Sequence, residues 1–263
     1  MKTLKEILDA LLSKEITIEQ AEELIKLDYI DELDKMAHLD FSRHIRTGIP
    51  EVIFAESKTV NMVLEIAKKM LDKNNFVIIT RLPFEYFGKL ESIYKDKKDF
   101  VCDFNKTAKT AYIAKKSYSI HKQEGTVGII TAGTSDIPVA EEATLLLKAM
   151  GITIVNSYDV GIAGMHRIFP ALKEMITRNV DVILVVAGME GTLPGIVSAL
   201  VDIPVIGIPC SSGYGIGEKG KGAITTMLQS CSPGLAVVNI DNGFGAAAFA
   251  AIIVKRIHKK RIP

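Results

Sequence analysis

Five short, almost continuous apolar runs recur along the second half of the chain, and a helix-length segment follows each of them. Strands buried on both faces give such runs, and strands that alternate with helices form a parallel sheet. Right-handed crossovers then predict an α/β fold, with a doubly wound parallel sheet in a three-layer sandwich. The predicted strands are 127–131, 152–155, 181–188, 203–209 and 235–240, and the predicted helices are 138–150, 164–179, 192–200, 220–230 and 244–258. Because such sheets bind ligands at the carboxyl ends of their strands, the loops after the strands form the candidate site.

The first half of the chain predicts a small helical and α/β region. Residues 1–40 have the pattern of two short helices, and Thr17 and Gln20 have the spacing of a capping box. A DNA-reading helix-turn-helix is the alternative, but the second helix, EQAEELIK, has three acids that would repel phosphates, so a packed helical hairpin is favoured. The small α/β part predicts strands at 51–54, 76–80, 100–104 and 111–114, and helices at 59–71 and 84–94. We therefore expect an N-terminal domain over 1–120 and a second domain over 127–263.

Composition narrows the classes of function. The 263 residues include 32 Lys and Arg against 31 Asp and Glu, whereas proteins that bind nucleic acid through their overall field are more basic. The three cysteines have no regular spacing, which argues against a disulfide framework and a structural zinc site. There is no membrane-length apolar run and no signal-peptide pattern, so a soluble cytoplasmic protein is expected. The lysine-rich stretch 89–122 either contacts a phosphate-bearing ligand or, as is commoner for such runs, faces solvent.

The loop after the first predicted strand has the residues of a phosphate site. It reads Gly133, Thr134, Ser135 and Asp136, so a glycine and two hydroxyls precede a helix. Glycine lets the backbone approach a ligand, and a helix N-terminus attracts anions. Helix capping by Ser135 or Asp136 is the simpler interpretation, but three polar residues exceed what a cap requires.

The loop after the second predicted strand contains Asp159 and ends with His166 and Arg167 at a helix start. Arginine suits bidentate contact with phosphate or carboxylate, and histidine suits proton transfer. A lone histidine is more often structural than catalytic. Its place beside an arginine at the ligand edge of the sheet makes the two interpretations about equally good.

Glu190 and Cys231 are candidate reactive groups. Glu190 follows the third predicted strand, where a carboxylate is either a helix-start charge or a general acid or base. A free cysteine is usually a small buried hydrophobe, but the Ser and Pro neighbours of Cys231 indicate a turn. A helix C-terminus raises the pKa of a thiol, so a nearby cation or base would have to offset that effect.

These loops resemble those of the PurE family, the aminoimidazole ribonucleotide carboxylases. The resemblance rests on GTSD (133–136), MHR (165–167), AGMEGTLPG (187–195) and IPVIGIPCSSGYG (203–215). Two features depart from that family: the Met-Glu-Gly stretch 189–191 and the first 120 residues. Both are similar to a closer family, LarB, which opens nickel-pincer cofactor synthesis. Its hallmarks read here as GIPEVIFAESKT (48–59), ITR (79–81), AGTSDIPVAEEA (132–143), DVGIAGMHR (159–167), VAGMEGTLPG (186–195), SSGYG (211–215), LQSCSPG (228–234) and VVNIDNGFGAA (237–247).

The resemblance to LarB implies a PurE-like fold, a homo-octamer and a particular reaction. That family carboxylates the pyridinium ring of nicotinic acid adenine dinucleotide with CO2 and cleaves the phosphoanhydride, giving pyridinium-3,5-biscarboxylic acid mononucleotide and AMP. On this chain the resemblance makes Cys231 the nucleophile, Glu190 an acid/base group and His166 an assisting group. The implied substrate-binding residues are Gly133, Thr134, Ser135, Asp136, Asp159, Arg167, Gly188, Met189, Gly191, Ser212 and Gly213.

The same resemblance implies no tightly bound cofactor, with CO2 as a co-substrate. Phosphoanhydride cleavage often uses Mg²⁺, but no carboxylate cluster that would hold it is visible in the sequence. The expected partners are the dinucleotide and other copies of the chain, with no nucleic acid and no membrane.

Two other functions stay open at this point. A carboxylase or mutase of purine synthesis, acting on aminoimidazole ribonucleotide, would use related chemistry on an electron-rich ring that needs no thiol. A non-catalytic nucleotide-binding protein would use the same pocket without turnover. The N-terminal region either covers the adenylate half of the dinucleotide or serves assembly.

Overall fold

The computed structural model describes residues 4–27, 31–33, 37–40 and 43–258. The described chain begins with a helical hairpin made of α1 (Leu4–Leu12) and α2 (Ile18–Leu27). Gln20 N donates to Thr17 Oγ1 over 3.2 Å, and Thr17 N donates to Gln20 Oε1 over 2.9 Å. This reciprocal pair confirms the predicted capping box at the start of α2.

The prediction of helices up to residue 40 is wrong beyond α2. There β1 (Asp31–Leu33) and β2 (Ala37–Leu39) pair antiparallel, and a one-turn helix, α3 (Arg43–Thr47), follows. Strands of three residues are too short to display the alternation of apolar and polar positions that identifies a strand in a sequence.

A four-stranded sheet with the order β3-β4-β6-β5 forms the small α/β region. Its central strands β4 and β6 pair antiparallel, whereas β3 runs parallel to β4. Thr59 caps the first helix of this region by accepting a hydrogen bond from Met62 N. The elements are β3 (Ile53–Phe54), α4 (Val60–Asn74), β4 (Phe76–Thr80), α5 (Phe87–Tyr94), β5 (Phe100–Asn105) and β6 (Thr110–Lys115). Each predicted strand and helix of this region is therefore present, with bounds shifted by a few residues.

The five predicted parallel strands form one sheet with the order β11-β10-β9-β7-β8, and every pairing is parallel. Its strands are β7 (Thr126–Thr131), β8 (Thr153–Ser157), β9 (Val182–Ala187), β10 (Val205–Pro209) and β11 (Leu235–Val237). Its helices are α6 (Ile137–Ala149), α7 (Ile168–Thr177), α8 (Leu193–Leu200), α9 (Lys221–Leu228) and α10 (Gly243–His258). This arrangement confirms the predicted doubly wound α/β fold. The chain changes direction across the sheet between β7 and β9, the switch point at which such sheets bind ligands.

One helix layer lies between the two sheets, where α6 contacts both of them and α10 packs beside α6. Val127 and Leu184 of the parallel sheet share a hydrophobic core with Ile78 and Tyr112 of the small sheet. The alternate residues of the small sheet, such as Val77, face a separate core under α4 and α5. The division into domains over 1–120 and 127–263 stays a prediction, because the two sheets share one core through this layer.

Helix α10 is lined with small residues where it packs. It contacts α6 and strand β9, and its four buried alanines are 246, 247, 250 and 251. A Cβ added at Gly243 would lie 2.3 Å from Val139 O of α6, so position 243 tolerates no side chain. Within the described residues, no helix combines the length and the apolar character that a membrane crossing requires.

Candidate active site

A cavity of about 270 Å³ opens at the carboxyl ends of the parallel strands. We call it the strand-end cavity, and it lies over the switch point between β7 and β9. Its lining is Ala132, Gly133, Ser135, Asp136, Gly161, Ile162, Ala163, Ala187, Gly188, Met189, Glu190, Gly191, Thr192, Leu193, Ser212 and Tyr214. The structure thus brings together eight of the residues predicted for the site, namely Gly133, Ser135, Asp136, Gly188, Met189, Glu190, Gly191 and Ser212.

Asp136 is the buried centre of this edge of the sheet. Its Oδ2 accepts a hydrogen bond from Gly133 N over 2.9 Å, and its Oδ1 accepts one from Ser212 Oγ over 2.7 Å. Burial raises the pKa of the Asp136 carboxyl, while the bonds from Ser212, Gly133 N and Gly188 N act in the opposite direction. One carboxylate therefore ties together the loops that follow β7, β9 and β10.

The glycines of the β9 loop are required by the packing of the protein itself. A Cβ at Gly188 would lie 2.3 Å from Ser212 Oγ, and one at Gly191 would lie 2.6 Å from Ala223 Cα of α9. Gly191 also has a φ of +66°, a conformation that other residues rarely adopt. The resemblance implies that both glycines bind the substrate, and the contacts that the structure shows for them are with Ser212 and Ala223.

Glu190 and Met189 form the exposed wall of the strand-end cavity. Both side chains are exposed, and Met189 has a φ of +49°, so the backbone is strained where it leaves β9. The fixed turn leaves the Glu190 carboxylate at the cavity, where it can exchange a proton with a bound ligand.

The residues predicted after β8 form a group of their own beside the cavity. Arg167 Nη1 lies 2.9 Å from Asp159 Oδ2, and Asp159 N donates to Thr131 Oγ1 over 3.0 Å. Among the described residues that line the cavity, neither these two nor the exposed His166 appears, and Gly161, Ile162 and Ala163 take that side instead. The exposed Thr134 and the partly buried Gly213 also lie outside the lining.

Cys231 lines a second cavity of about 570 Å³, which we call the thiol cavity. It is formed by α8, the end of α9 and the turn after α9, and it shares Gly191 and Thr192 with the strand-end cavity. The candidate nucleophile and Glu190 therefore lie on the two sides of the loop that leads from β9 into α8.

Exposure distinguishes Cys231 from the other two cysteines. Cys210 is buried, and burial together with the nearby Asp136 and Asp241 carboxylates raises the pKa of its thiol. Burial also raises the pKa of Cys102 on β5. Cys231 is exposed at a turn, so its sulfur is open to a ligand.

A third cavity, of about 240 Å³, separates the small sheet from the strand-end loops, and we call it the joint cavity. Arg81, directly after β4, reaches across it: its Nε lies 3.4 Å from Glu142 Oε1, and its Nη2 donates to Asp241 O. Burial raises the pKa of Glu142, and the Arg81 charge acts against that rise.

Sequence reasoning missed Arg81 and also Tyr214, which lines the strand-end cavity. The signal for Tyr214 was present, since it belongs to the loop after β10. Arg81 also follows a strand directly, but that strand pairs antiparallel with β6, and the carboxyl ends of strands mark a ligand site only in parallel sheets.

Metal-binding groups are not apparent in the part of the chain that the structure describes. There, no set of three or more His, Cys, Asp or Glu side chains is placed to hold a metal ion.

Comparisons with known proteins identify both halves of the chain. Residues 126–262 match the family model of AIR carboxylase, and residues 30–116 match that of the LarB/PurE-like N-terminal domain. An uncharacterized protein of Methanocaldococcus jannaschii is 48% identical over 260 residues, which cover 98% of this chain and 99% of that protein.

Two relatives with named activities match less of the chain. The N5-carboxyaminoimidazole ribonucleotide mutase of Pyrococcus horikoshii is 33% identical over 141 residues, 52% of this chain and 76% of that protein. The phosphoribosylaminoimidazole carboxylase of Candida albicans is 26% identical over 223 residues, 82% of this chain and 38% of that protein. The chain therefore belongs to the AIR carboxylase family, in the form that has a LarB/PurE-like domain before the carboxylase-type domain.

Proposed function

We propose that this protein carboxylates the pyridinium ring of nicotinic acid adenine dinucleotide with CO2 and hydrolyses its phosphoanhydride, giving pyridinium-3,5-biscarboxylic acid mononucleotide and AMP. This would be the first step of nickel-pincer cofactor synthesis. Family membership itself makes the protein a carboxylase- or mutase-type enzyme. The observation that carries the finer proposal is the exposed thiol of Cys231, in a cavity that shares two residues with the strand-end cavity.

A thiol is what carboxylation of a pyridinium ring requires. The ring is electron-poor and cannot attack CO2 directly. The Cys231 thiolate forms a C–S bond to the ring, and the resulting dihydropyridine has a nucleophilic enamine carbon. That carbon forms a C–C bond to CO2, a base removes its proton, and the electron pair restores the aromatic ring as the C–S bond breaks.

Glu190 is the base in this proposal, because its carboxylate is exposed at the strand-end cavity. The cationic pyridinium attracts the anionic sulfur that attacks it. His166 assists at the thiol or at the ring proton. Ser135 and Asp136 hold the ribose-phosphate together with Thr134 and Arg167.

The second half-reaction is hydrolytic. Water attacks one phosphorus of the phosphoanhydride, a P–O bond breaks, and AMP leaves with the bridging oxygen or with that of water. Mg²⁺ enters the assay only as a counterion of the two phosphates, and no step is assigned to it.

Mass spectrometry of the full chain incubated with the dinucleotide, isotopically labelled bicarbonate and Mg²⁺ tests the proposal. We expect AMP and a mononucleotide that has gained one labelled carboxyl group. Cys231→Ala should abolish the labelled product, whereas Cys102→Ala on β5 should retain it. Full carboxylation by Cys231→Ala would contradict the mechanism, and binding without turnover would indicate a non-catalytic protein.

A purine-pathway activity is the second candidate, because the named relatives act on aminoimidazole ribonucleotides. Its ring is electron-rich, so this reaction would not depend on Cys231. Conversion of N5-carboxyaminoimidazole ribonucleotide in a parallel reaction, with no product from the dinucleotide, would favour this candidate.

The homo-octamer is also part of the proposal. Exposed apolar side chains on α7 and α10, such as Phe169 and Phe249, support contact between copies of the chain. Light scattering in solution measures the number of copies.

A further inference from the structure

The joint cavity joins two parts of the chain that the sequence keeps far apart. Its lining on the side of the small sheet includes Arg81 and Lys109. Its lining on the side of the strand-end loops includes Ser135, Ser211 and Asp241. We infer that the joint cavity binds the second nucleotide of a dinucleotide, the adenylate half, while the first nucleotide occupies the strand-end cavity. This inference rests on the proposed function and assigns a substrate-selecting role to the N-terminal region.

The first argument is continuity. Ser135 and Ser212 line both the strand-end cavity and the joint cavity, so the two spaces meet across this pair of residues. Both residues are exposed. A ligand that fills both cavities would cross between them at these residues, and its phosphate bridge would lie there.

The second argument is size. Pockets that bury most of a drug-sized ligand measure about 300–1,000 Å³, so the strand-end cavity at about 270 Å³ is too small to bury a dinucleotide by itself. The thiol cavity of about 570 Å³ also adjoins the strand-end cavity, but in the proposed mechanism it receives the pyridinium ring at Cys231 and is therefore not free for the adenylate half. Another cavity, of about 450 Å³, is lined by Ala149 and Met150 at the opposite end of α6. That helix has 13 residues and spans about 20 Å, so this cavity cannot hold the remainder of the same ligand.

The third argument is the fixed geometry of the cations, which line the joint cavity together with the carboxylates of Glu142 and Asp241. Arg81 contacts Glu142 through Nε and Asp241 O through Nη2, so two neighbours hold the guanidinium in place. A guanidinium has five N–H donors. The described contacts of Arg81 do not use the two donors on Nη1, so these remain for a phosphate oxygen.

Lys109 adds a cation with no described carboxylate partner. Lys109 is exposed and lines the joint cavity, and the backbone there has a φ of +54°. Lys106, three residues earlier, instead lies 3.2 Å from Glu91 Oε2 and does not line the cavity. Lys109 is therefore the lysine of this turn that is available to an anionic ligand.

Calorimetric titration of the full chain with nicotinic acid adenine dinucleotide and with nicotinic acid mononucleotide tests the inference. Lys109→Glu should weaken dinucleotide binding about tenfold or more, because it replaces a phosphate-facing cation by an anion. The same variant should leave mononucleotide binding within about twofold. Lys106→Glu introduces the same charge change on the same turn and should change neither affinity.

A second variant, Thr107→Trp, fills the joint cavity from an exposed position without changing charge. It should also weaken only the dinucleotide, and thermal unfolding of each variant controls for folding. If Lys109→Glu and Thr107→Trp affect both ligands equally, or neither, the inference is overturned while the proposed function stands. If the wild-type chain binds neither nicotinate ligand, the proposed function and this inference both fail.

Discussion

Among single residues, Asp136 has the largest structural role at the site. It is only 4% exposed and accepts hydrogen bonds from Gly133 N and Ser212 Oγ. It therefore serves first to position the strand-end loops and only second as a ligand contact. A carboxylate that is buried this far should reveal itself in the dependence of stability on pH.

We expect Asp136→Asn to change that dependence in a defined direction. Burial raises the pKa of Asp136, so the folded chain binds its proton more tightly than the unfolded chain. The resulting stabilisation is complete below the unfolded pKa and is lost as the pH rises through the folded pKa. Asn does not titrate, so the stability of the wild type relative to the variant should increase from neutral pH down towards the unfolded pKa.

Urea unfolding of both proteins at a series of pH values between these limits measures the difference. A relative stability that stays constant, or that falls as the pH is lowered, would contradict the burial of this carboxyl.

At the scale of elements, Arg81 and Glu142 join the small sheet to helix α6. Glu142 is 4% exposed, and it also accepts a hydrogen bond from Phe244 N at the start of α10. The pair therefore connects β4, α6 and α10 at one point.

Arg81→Met should destabilise the fold by about 3 kcal/mol, because it leaves a buried carboxylate without its cation. Adding Glu142→Gln should recover much of that loss, since the amide removes the buried charge and keeps an acceptor for Phe244 N. A double-mutant cycle on the free energy of unfolding measures the coupling. Losses that simply add in the double variant would show that the two side chains are not coupled.

The sequence predicted the elements of the parallel sheet well, because their strands are buried on both faces. The run at 181–188 became β9 over Val182–Ala187, and the run at 127–131 became β7 over Thr126–Thr131. The hairpin of β1 and β2 was missed, since three-residue strands show no usable period.

Part of the site was predictable from the rule that parallel sheets bind ligands at the carboxyl ends of their strands. That rule placed Asp136, Glu190 and Ser212 at one edge of the sheet, and the structure brings them to one cavity. It could not reveal that Arg81 contacts Asp241, 160 residues later, because that contact depends on how two sheets pack. Nor could it place Cys231, which lies on the far side of the β9 loop.

At the scale of the whole molecule, helix α6 makes the two sheets interdependent, because it packs on both of them. Ile78 of the small sheet and Leu184 of the parallel sheet belong to one core. Opening either sheet would expose the apolar face of α6 that packs on it, so neither half can lose its structure alone at low cost.

We therefore expect both sheets to unfold in one cooperative transition. Hydrogen exchange with mass spectrometry at rising urea concentrations checks this, with peptides from β4 and β9 as the two reporters. The two peptides should lose protection at the same urea concentration. A separate, earlier loss in β4 would show that the small sheet unfolds independently.

The bonding of Asp136 also determines how the molecule meets its ligand. The carboxylate holds the loops after β7 and β10 together through contacts within the chain, so no ligand is required to shape this edge. These loops lose their conformational entropy when the chain folds and not when a ligand binds, so the ligand meets a preorganised surface. Binding at the strand-end cavity should consequently have a small heat-capacity change, set by the apolar area covered and not by coupled folding. We therefore expect a ligand to bind here with little change in the conformation of the loops.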